Sequence, residues 1–411
     1  MLLRFEVANH RSVLNPVELS MVAVDEDRPA ARGFERLSER VLTVAGIYGA
    51  NASGKSNVLD ALYWLSMAVA NSLRRWDQAV PTDPFKFGRG PESPSVYDAE
   101  LMVGGVRYAY RLETTGSAVH YEALSSYPER RRRVLFERED LEISFRRGLG
   151  ALAGTRELLT PTTLALSAAM RFEDQEVRPF GRYLARIWGR GMRRRRRFTD
   201  MSLMDSEVTD TDDIFYASEA TQEKEMALAL LRFADIGVED VEAGELEDTS
   251  GDALPYLRLI HRARDERLPF EMSQESAGTR AWFNVIGPII SVLRSGEIML
   301  FDEIDASLHP KLSARLLELF QDPQTNPRGA QLIFTTHDTS LLNHLNRDEV
   351  WLTEKGNDGA TTLTALAEYG GDKVRRSLNL EKAYLQGRFG AVPELDQYTL
   401  RRALGMEASG G

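Results

Sequence analysis

The feature that most constrains this chain is the stretch Gly49-Ala-Asn-Ala-Ser-Gly-Lys-Ser56, which matches the pattern G-x-x-x-x-G-K-[ST] in full. The apolar run Val41–Tyr48 precedes it, and apolar residues recur with helical spacing from Val58 to Leu65. The sequence therefore predicts a strand, a glycine-rich turn and a helix in succession. Glycines let the turn close tightly and aim backbone N–H groups at an anion, and the helix N-terminus adds partial positive charge there.

This pattern predicts a site for ATP and Mg²⁺. The Lys55 ammonium is expected to reach the β- and γ-phosphates, and the Ser56 hydroxyl is expected to ligate Mg²⁺. The other loop residues expected to contact the nucleotide are Gly49, Asn51, Ser53, Gly54 and Asn57. Because the strand and the helix flank the motif in the required order, we interpret it as a phosphate-binding loop and not as a chance match.

A second apolar run, Ile298–Phe301, ends in two carboxylates, Asp302 and Glu303. A buried strand that delivers carboxylates to its C-terminal end is typical of sites in α/β proteins. Asp302 is expected to hold Mg²⁺, and Glu303 is expected to polarise the attacking water as a general base. An acidic pair at a strand end is also a common surface feature, so the catalytic interpretation depends on the phosphate-binding loop.

Two further segments are weaker candidates when taken alone. His337 follows the apolar strand candidate Gln331–Thr336, where it could reach the γ-phosphate or the attacking water. Ser276 and Gly278 precede the helix candidate Thr279–Leu293 and offer a hydroxyl and a bare backbone N–H to an anion. The alternatives are a structural histidine and an ordinary serine N-cap.

The order of patterns along the chain predicts an α/β fold of the P-loop NTPase class in three parts. Residues 1–124 form a lobe with the phosphate-binding loop and an antiparallel edge, whose hairpin turns at Gly104-Gly105. Residues 125–254 are expected to form a mostly helical insertion with arginine-rich and acidic segments. Residues 255–411 return to alternating strands and helices, which implies a parallel sheet.

The composition argues against cysteine-based sites and against a membrane-spanning or secreted protein. The 411 residues include no cysteine, which excludes disulfides, zinc-thiolate sites and a cysteine nucleophile. No apolar run reaches about 18 residues, and the charged start lacks the apolar stretch of a signal peptide, so we expect a cytoplasmic protein with no membrane partner.

Charge limits the possible contacts with nucleic acid. The net charge of −11 disfavours attraction of nucleic acid to the whole surface. The runs Arg130–Arg133 and Arg193–Arg197 leave room for local contact with nucleic acid or with an acidic partner surface, although such runs are often only solvated.

The motif order resembles that of ABC-type ATPases, in the branch that includes SMC-like and RecF-like proteins. It is most similar to the RloA-like and OLD-like AAA-type ATPases of abortive-infection, or anti-phage defence, systems. The resemblance rests on the start Phe5-Glu-Val-Ala-Asn-His-Arg-Ser12, on Asp302-Glu-Ile-Asp-Ala-Ser-Leu-His-Pro310 and on Tyr384-Leu-Gln-Gly-Arg-Phe-Gly-Ala-Val-Pro393. It covers residues 1–125 and 255–395 and leaves the middle of the chain without a counterpart.

The resemblance implies a homodimer in which each ATP site is shared between two subunits. Ser276 and Gly278 would close over the γ-phosphate bound by the other subunit, Asp305 would lie in the loop between the sites, and His337 would be the switch histidine. Asn9 and Arg11 would lie near the nucleotide. Since no Toprim-type nuclease is evident, a nuclease or toxin effector would be a separate protein.

The sequence departs from the family pattern at two places. No glutamine stands in the expected Q-loop, where Pro84-Phe-Lys-Phe87 lies, so the second contact to Mg²⁺ and water has no candidate. The signature has Ala277 and Thr279 where glycine and glutamine are usual.

Two other functions remain open from the sequence. One is a DNA-repair or recombination ATPase that clamps DNA directly, although no long heptad-bearing arm is present. The other is a scaffold that binds ATP without hydrolysing it.

Overall fold

The computed structural model of the chain describes residues 1–192, 211, 214–215, 222–234, 237–247, 253–369 and 379–389. The arginine run Arg193–Arg197 and the last part of the C-terminal motif, Gly390–Pro393, lie outside these residues. Within the described ranges, no helix is both long enough and apolar enough to cross a membrane.

Strands and helices are numbered along the chain. The strands are β1 (Leu2–Ala8), β2 (Val17–Ser20), β3 (Ala31–Arg32), β4 (Val41–Leu42), β5 (Val44–Gly49), β6 (Ser95–Val103), β7 (Val106–Thr114), β8 (Val119–Tyr127), β9 (Arg133–Glu139), β10 (Glu142–Phe145), β11 (Trp188–Arg190), β12 (Val238–Glu247), β13 (Ala253–Ala263), β14 (Glu266–Glu271), β15 (Ile298–Phe301), β16 (Gln331–Thr335), β17 (Val350–Lys355) and β18 (Thr361–Ala365). The helices are α1 (Lys55–Arg75), α2 (Thr155–Leu158), α3 (Ala165–Ala169), α4 (Val177–Leu184), α5 (Gln222–Ala234), α6 (Ala277–Ser295), α7 (Ile304–Ser307), α8 (Pro310–Gln321) and α9 (Leu380–Leu385).

A six-stranded sheet in the order β11-β15-β16-β5-β17-β18 positions the sequence motifs. Its first five strands are parallel, and β18 pairs with β17 in the antiparallel sense. The central strands β5, β15 and β16 are buried along their whole length, as their unbroken apolar sequences predict. Because parallel strands end at the same edge, the residues that follow these three strands are brought to one edge of the sheet.

A seven-stranded antiparallel sheet in the order β10-β9-β8-β7-β6-β1-β2 forms a second layer. The predicted hairpin across Gly104-Gly105 is confirmed, since Val103 pairs with Val106 at the start of β7. Helix α1 packs with this sheet and with one face of the six-stranded sheet in a single apolar core that includes Leu59, Trp64 and Ile333. Helices α6 and α8 cover the other face of the six-stranded sheet. The result is a layered α/β architecture of the P-loop NTPase class.

The secondary structure of residues 125–254 corrects the expectation of a mostly helical segment. The strands β9 and β10 extend the antiparallel sheet, and β11 joins the six-stranded sheet beside β15. The amphipathic pattern of Gly181–Trp188 predicts a helix there; the structure has α4, which starts earlier, and Trp188 opens β11 instead. Both expected boundaries of the segment fall inside strands, β8 and β13, and the division into three parts stays a prediction.

A buried ion pair explains why β9 belongs to the sheet although its sequence is rich in charge. The Arg138 and Glu122 side chains are fully buried and lie 3.6 Å apart. Arg138 donates to the carbonyl oxygens of Asp140, Thr160 and Thr163. The Glu122 carboxylate accepts from the first backbone N–H groups of α3, so the pair ties the sheet to the helices packed against it.

Candidate active site

The loop between β5 and α1 has the backbone of a phosphate cradle. Gly54, at the N-cap of α1, has φ 108°, a conformation open mainly to glycine. A Cβ at Gly54 would lie 2.1 Å from the Thr361 hydroxyl oxygen and 2.8 Å from that of Ser12. The loop therefore requires glycine here both for its backbone angle and for the close approach of β18.

A chain of hydroxyl groups fixes this loop to the neighbouring strands. The Thr361 hydroxyl donates to the Ser53 carbonyl oxygen at 2.7 Å, and the Ser53 hydroxyl bonds to that of Thr353 at 2.6 Å. Ser12 bonds to Thr361 and accepts from the Asn57 amide. The Ser53 and Asn57 side chains, both expected to contact nucleotide, are therefore turned towards the sheet and Ser12, whereas Asn51 is exposed on the loop.

The Lys55 ammonium folds back across the loop. It donates to the carbonyl oxygens of Gly49 at 2.9 Å and Ala50 at 3.1 Å. Burial lowers the pKa of Lys55, and the charges of Asp305, Glu303 and Asp302 oppose that shift. The three carboxylates are thus close enough to act on the lysine, and the sheet brings the two strongest sequence signals together.

Thr335, at the end of β16, holds the two carboxylates that follow β15. Its hydroxyl donates to Asp302 Oδ1 at 2.6 Å and accepts from the Glu303 N–H at 2.8 Å. The Glu303 backbone has φ 52°, a conformation that non-glycine residues seldom adopt, and its side chain is exposed. Strain of this kind at a site edge is common in functional positions.

Asp305 links the segment that follows β15 to the segment that follows β16. Its Oδ1 atom accepts from the Thr336 hydroxyl at 2.7 Å and from the His337 N–H at 3.2 Å. The His337 ring is exposed at the same edge of the sheet. Asp305 therefore orients the backbone that carries the histidine.

The residues present suit Mg²⁺. The carboxylates of Asp302, Glu303 and Asp305 exceed the single positive charge of Lys55, so a site meant for phosphate needs an additional cation. The Ser56 hydroxyl in the first turn of α1 and the Asp302 carboxylate are hard oxygen donors, which Mg²⁺ prefers. These two residues are the ones that could hold the ion.

Ser276 and Gly278 lie at the exposed start of α6. Ser276 is the N-cap, and its hydroxyl accepts from the Thr279 N–H at 3.0 Å. A Cβ on Gly278 would meet only the Ser276 hydroxyl, at 3.7 Å, so the space around this backbone is open. The segment thus presents an uncovered helix N-terminus to solvent.

Asn9 and Arg11 both contact neighbouring parts of the chain, and a contact of either residue with nucleotide stays a prediction. The Asn9 amide donates to the carbonyl oxygens of Gly90 and Ser93 and its oxygen accepts from the Phe85 N–H, so Asn9 holds the loop before β6. Arg11 pairs with Asp60 of α1 at 3.1 Å and with Asp83 at 3.3 Å. Asn9 is therefore a structural residue, and Arg11 is held against the first turns of α1.

Sequence reasoning missed the threonines that support the site. Thr335 could have been found, since it directly precedes the histidine motif at a strand end. No sequence pattern links Thr353 and Thr361 to the phosphate-binding loop, because they lie about 300 residues from the loop that they hold.

A comparison with protein-family models finds one match, described as "AAA domain, putative AbiEii toxin, Type IV TA system", over residues 44–343. The matched region contains the phosphate-binding loop, both carboxylates and the histidine. The chain belongs to this AAA family. It is accordingly a P-loop ATPase by family and by fold. No curated protein matches the chain in sequence.

Two solved structures of similar architecture are SMC heads. One is described as "Crystal structure of the SmcHead bound to the C-winged helix domain of ScpA", with 15% identity and a TM-score of 0.46, covering 89% of this chain and 97% of that chain. The other is an SMC head domain from Thermotoga maritima, with 14% identity and a TM-score of 0.41, covering 89% of this chain and 98% of that chain. The fold assignment rests on the strands and helices above and on the AAA family match.

Proposed function

We propose that this AAA-family protein hydrolyses ATP at the edge of the six-stranded sheet and acts as an ATP-driven dimeric switch. The observation that carries the proposal is the grouping of Lys55 with Asp302, Glu303 and Asp305 at one edge of the sheet, where the adjacent parallel strands β5, β16 and β15 end. The charges of the three carboxylates also act on Lys55. A buried lysine beside a glycine-rich loop and a helix N-terminus suits a polyphosphate, and the carboxylates suit its metal ion.

ATP would bind by replacing the internal contacts of Lys55. The ammonium now donates to two loop carbonyl oxygens, and phosphate oxygens would take their place as acceptors. Ser56 and Asp302 would hold Mg²⁺, which neutralises charge on the phosphates when it is bound. Thr335 keeps the Asp302 carboxylate oriented through the hydroxyl contact at 2.6 Å.

Glu303 is the general base in this proposal. Its side chain is exposed at the sheet edge, and its backbone is fixed by the Thr335 hydroxyl at 2.8 Å. A carboxylate there would accept a hydrogen bond from water and align it with the γ-phosphate. His337, whose backbone is held by Asp305, would contact the γ-phosphate from the other side.

The exposed start of α6 supports a site shared between two subunits. Ser276 and Gly278 are exposed at the first turn of this helix, the Ser276 hydroxyl bonds, among the described residues, only to Thr279 of the same turn, and the space around Gly278 is open. We propose that they close over the γ-phosphate of a second copy, as in the ABC-type ATPases that the motif order resembles. Such closure would require ATP and would be released on hydrolysis.

The cellular role that we favour is the ATPase component of an anti-phage or abortive-infection system. The family description names a toxin of a Type IV toxin–antitoxin system, which supports a defence role of the RloA-like or OLD-like kind. The switch would then control a separate effector protein. Direct clamping of DNA is the second candidate, because arginines are clustered on the surface.

The test compares Mg²⁺-dependent ATPase activity of the wild type and Glu303→Gln while light scattering follows the oligomeric state. We expect the variant to lose about 10²- to 10⁴-fold in turnover, the usual contribution of a general base, and to retain ATP-dependent dimers. We expect Glu303→Gln still to bind ATP and Mg²⁺, because Lys55, Ser56 and Asp302 are unchanged.

Glu139→Gln, a change of the same chemistry at an exposed position of β9, is the matched control and should hydrolyse ATP at the wild-type rate. Equal turnover in Glu303→Gln and the wild type would refute the assignment of Glu303. A wild type that neither hydrolyses ATP nor changes its oligomeric state would favour the non-hydrolysing scaffold.

A further inference from the structure

Five arginines line a single cavity of about 400 Å³ on the α1 side of the molecule, away from the ATP site. They are Arg74, Arg171, Arg178, Arg182 and Arg186. The floor between them is apolar, with Ala70, Leu73 and Met170. In a chain with a net charge of −11, such a concentration of positive charge needs an explanation.

Three helices create this cavity. Arg178 and Arg182 lie in α4, and Arg186 follows it, so the spacing of four residues puts the three side chains on one side. Arg74, in the last turn of α1, and Arg171, just after α3, line the same cavity. The arginines therefore come from three separate elements and not from one run in the sequence.

Acidic side chains compensate only part of this charge. Arg178 lies 3.4 Å from Glu173, whose side chain is 95% exposed, and Arg186 lies 3.6 Å from Glu297. In the described part of the chain, no ion pair or hydrogen bond of the side chain is found for Arg74, Arg171 or Arg182. The Arg178 Nε atom is buried and also lacks a partner there. The cavity thus carries an excess of guanidinium groups that repel one another unless an anion binds.

Two further cavities adjoin this one. Ala185 and Arg186 also line a second cavity of about 580 Å³, which is bordered by Tyr63, Trp188 and Glu297. Trp188 in turn lines a third cavity of about 430 Å³ with Arg294, Arg328 and Glu223. Glu297 pairs with Arg186 and Glu223 with Arg294, so the excess of positive charge lies in the arginine cavity. We call these three adjoining cavities the groove.

We propose that this groove binds a single-stranded nucleic acid, with its phosphate groups in the arginine cavity. Guanidinium groups match phosphate oxygens in pairs and are weakly hydrated, which makes arginine the preferred residue for phosphate recognition. A groove with positive charge and aromatic side chains along its length is the arrangement that binds single strands through backbone contacts and base stacking. The adjoining cavities favour an extended ligand over an isolated phosphate.

The test uses fluorescence anisotropy of a labelled single-stranded DNA and a labelled RNA of about a dozen nucleotides, a usual site length for such proteins. The variant Arg74→Gln/Arg182→Gln removes two arginines that are exposed, so the fold should be retained, which a thermal melt checks. We expect at least about a tenfold loss of affinity and a shallower dependence of log K on log salt, by roughly 0.7 for each lost phosphate contact.

The matched control is Arg89→Gln/Arg264→Gln, which removes the same charge from exposed positions outside the groove. It should bind like the wild type. The proposal is overturned if the wild type binds neither oligonucleotide at low salt, or if the control variant loses as much affinity as the groove variant. It is also overturned if unlabelled cytidine 5′-monophosphate displaces the strand at a similar concentration, since the cavity would then take an isolated phosphate.

Discussion

At the scale of single residues, Lys55 illustrates how the site balances burial against charge. Burial lowers the pKa of its ammonium, while three carboxylates nearby favour the charged form. Its two hydrogen bonds to loop carbonyl oxygens satisfy donors that would otherwise be unpaired inside the protein. The loop is therefore closed around its own lysine, and a phosphate has only to replace carbonyl acceptors with stronger ones.

Glu349 is a second buried charge, and it predicts a pH dependence of stability. Burial raises the pKa of Glu349 to about 7 from 4.5, although Arg28 lies 3.1 Å away and the Asn346 N–H donates to the carboxylate. Its Oε1 atom has no partner among the described residues. Since the folded-state pKa is raised, the contribution of this group to stability is present below pH 4.5 and is lost as the pH rises through about 7.

We predict that Glu349→Gln stabilises the protein at alkaline pH. An amide keeps an acceptor for the Asn346 N–H and carries no charge, so its free energy of unfolding should exceed that of the wild type by about 1–3 kcal/mol at pH 8 and by little at pH 4.5. Urea unfolding at the two pH values measures the difference. Glu354→Gln, at an exposed position of β17, the strand that follows Glu349, should show no such trend. A constant difference at both pH values would contradict the shifted pKa.

At the scale of secondary structure, the central elements follow from the sequence and the supporting ones do not. Periodicity and the glycine motif predict β5, α1 and β15 within a few residues, because burial on both faces leaves unbroken apolar runs. The pairing of strands from distant segments was not predictable in detail. The contacts of the phosphate-binding loop with Thr353 and Thr361 exist only once β17 and β18 have assembled beside β5.

The strand β9 shows why a strand in the middle of the chain is hard to predict. Its sequence, RVLFERE, begins with the last residue of an arginine run and ends in three consecutive charged residues, a pattern typical of a solvated segment. The structure buries Arg138 completely, with Glu122 of β8 as its partner. The charged residues of a buried ion pair are predicted to be exposed, because the sequence pattern shows each charge but does not show its partner.

This pair yields a prediction at the same scale. Arg138→Met should reduce the free energy of unfolding by about 3–5 kcal/mol, because it leaves the buried Glu122 carboxylate without its cation. The raised pKa of Glu122, caused mainly by burial, already shows how costly that charge is in this place. Urea unfolding at neutral pH measures the loss.

Two control variants test whether the loss of stability comes from the burial of the ion pair or only from the removal of an arginine charge. Arg111→Met removes an arginine that is 46% exposed and paired on the same sheet, and it should cost no more than about 1 kcal/mol. Adding Glu122→Gln to Arg138→Met should restore part of the stability, since the uncompensated charge is then gone. Equal losses for Arg138→Met and Arg111→Met would mean that the buried pair does not hold the sheet to α3.

At the scale of the whole molecule, β11 joins the two proposed sites. Trp188, which lines the groove, opens this strand, and Arg190 closes it with a carbonyl oxygen that accepts from the Asp302 N–H at 2.9 Å. A Cβ on Gly191 would lie 2.6 Å from the Asp302 carbonyl oxygen, so the chain passes close to the backbone of the candidate Mg²⁺ ligand. The single strand β11 therefore links the groove to the candidate catalytic edge of the sheet.

The last prediction concerns the ATPase activity of a dimer formed from two different variants. Lys55→Ala disables the phosphate-binding loop of its own subunit, and Ser276→Arg blocks the exposed start of α6. If each ATP site joins the loop of one subunit to the Ser276 segment of the other, a dimer of the two variants keeps one intact site. Purified with two different affinity tags, that mixed dimer should show up to about half of the wild-type ATPase activity, although each variant alone is inactive.

A chain that carries both substitutions is the negative control for this experiment. Paired with the Lys55→Ala chain, it has no intact combination in either arrangement and should remain inactive, so it controls for trace wild-type activity. If instead each subunit completes its own site, both members of the first mixed dimer are defective and no activity returns. Inactivity of that dimer, with its formation verified by light scattering, would therefore exclude the shared site while leaving the roles of Lys55 and Glu303 open to their own tests.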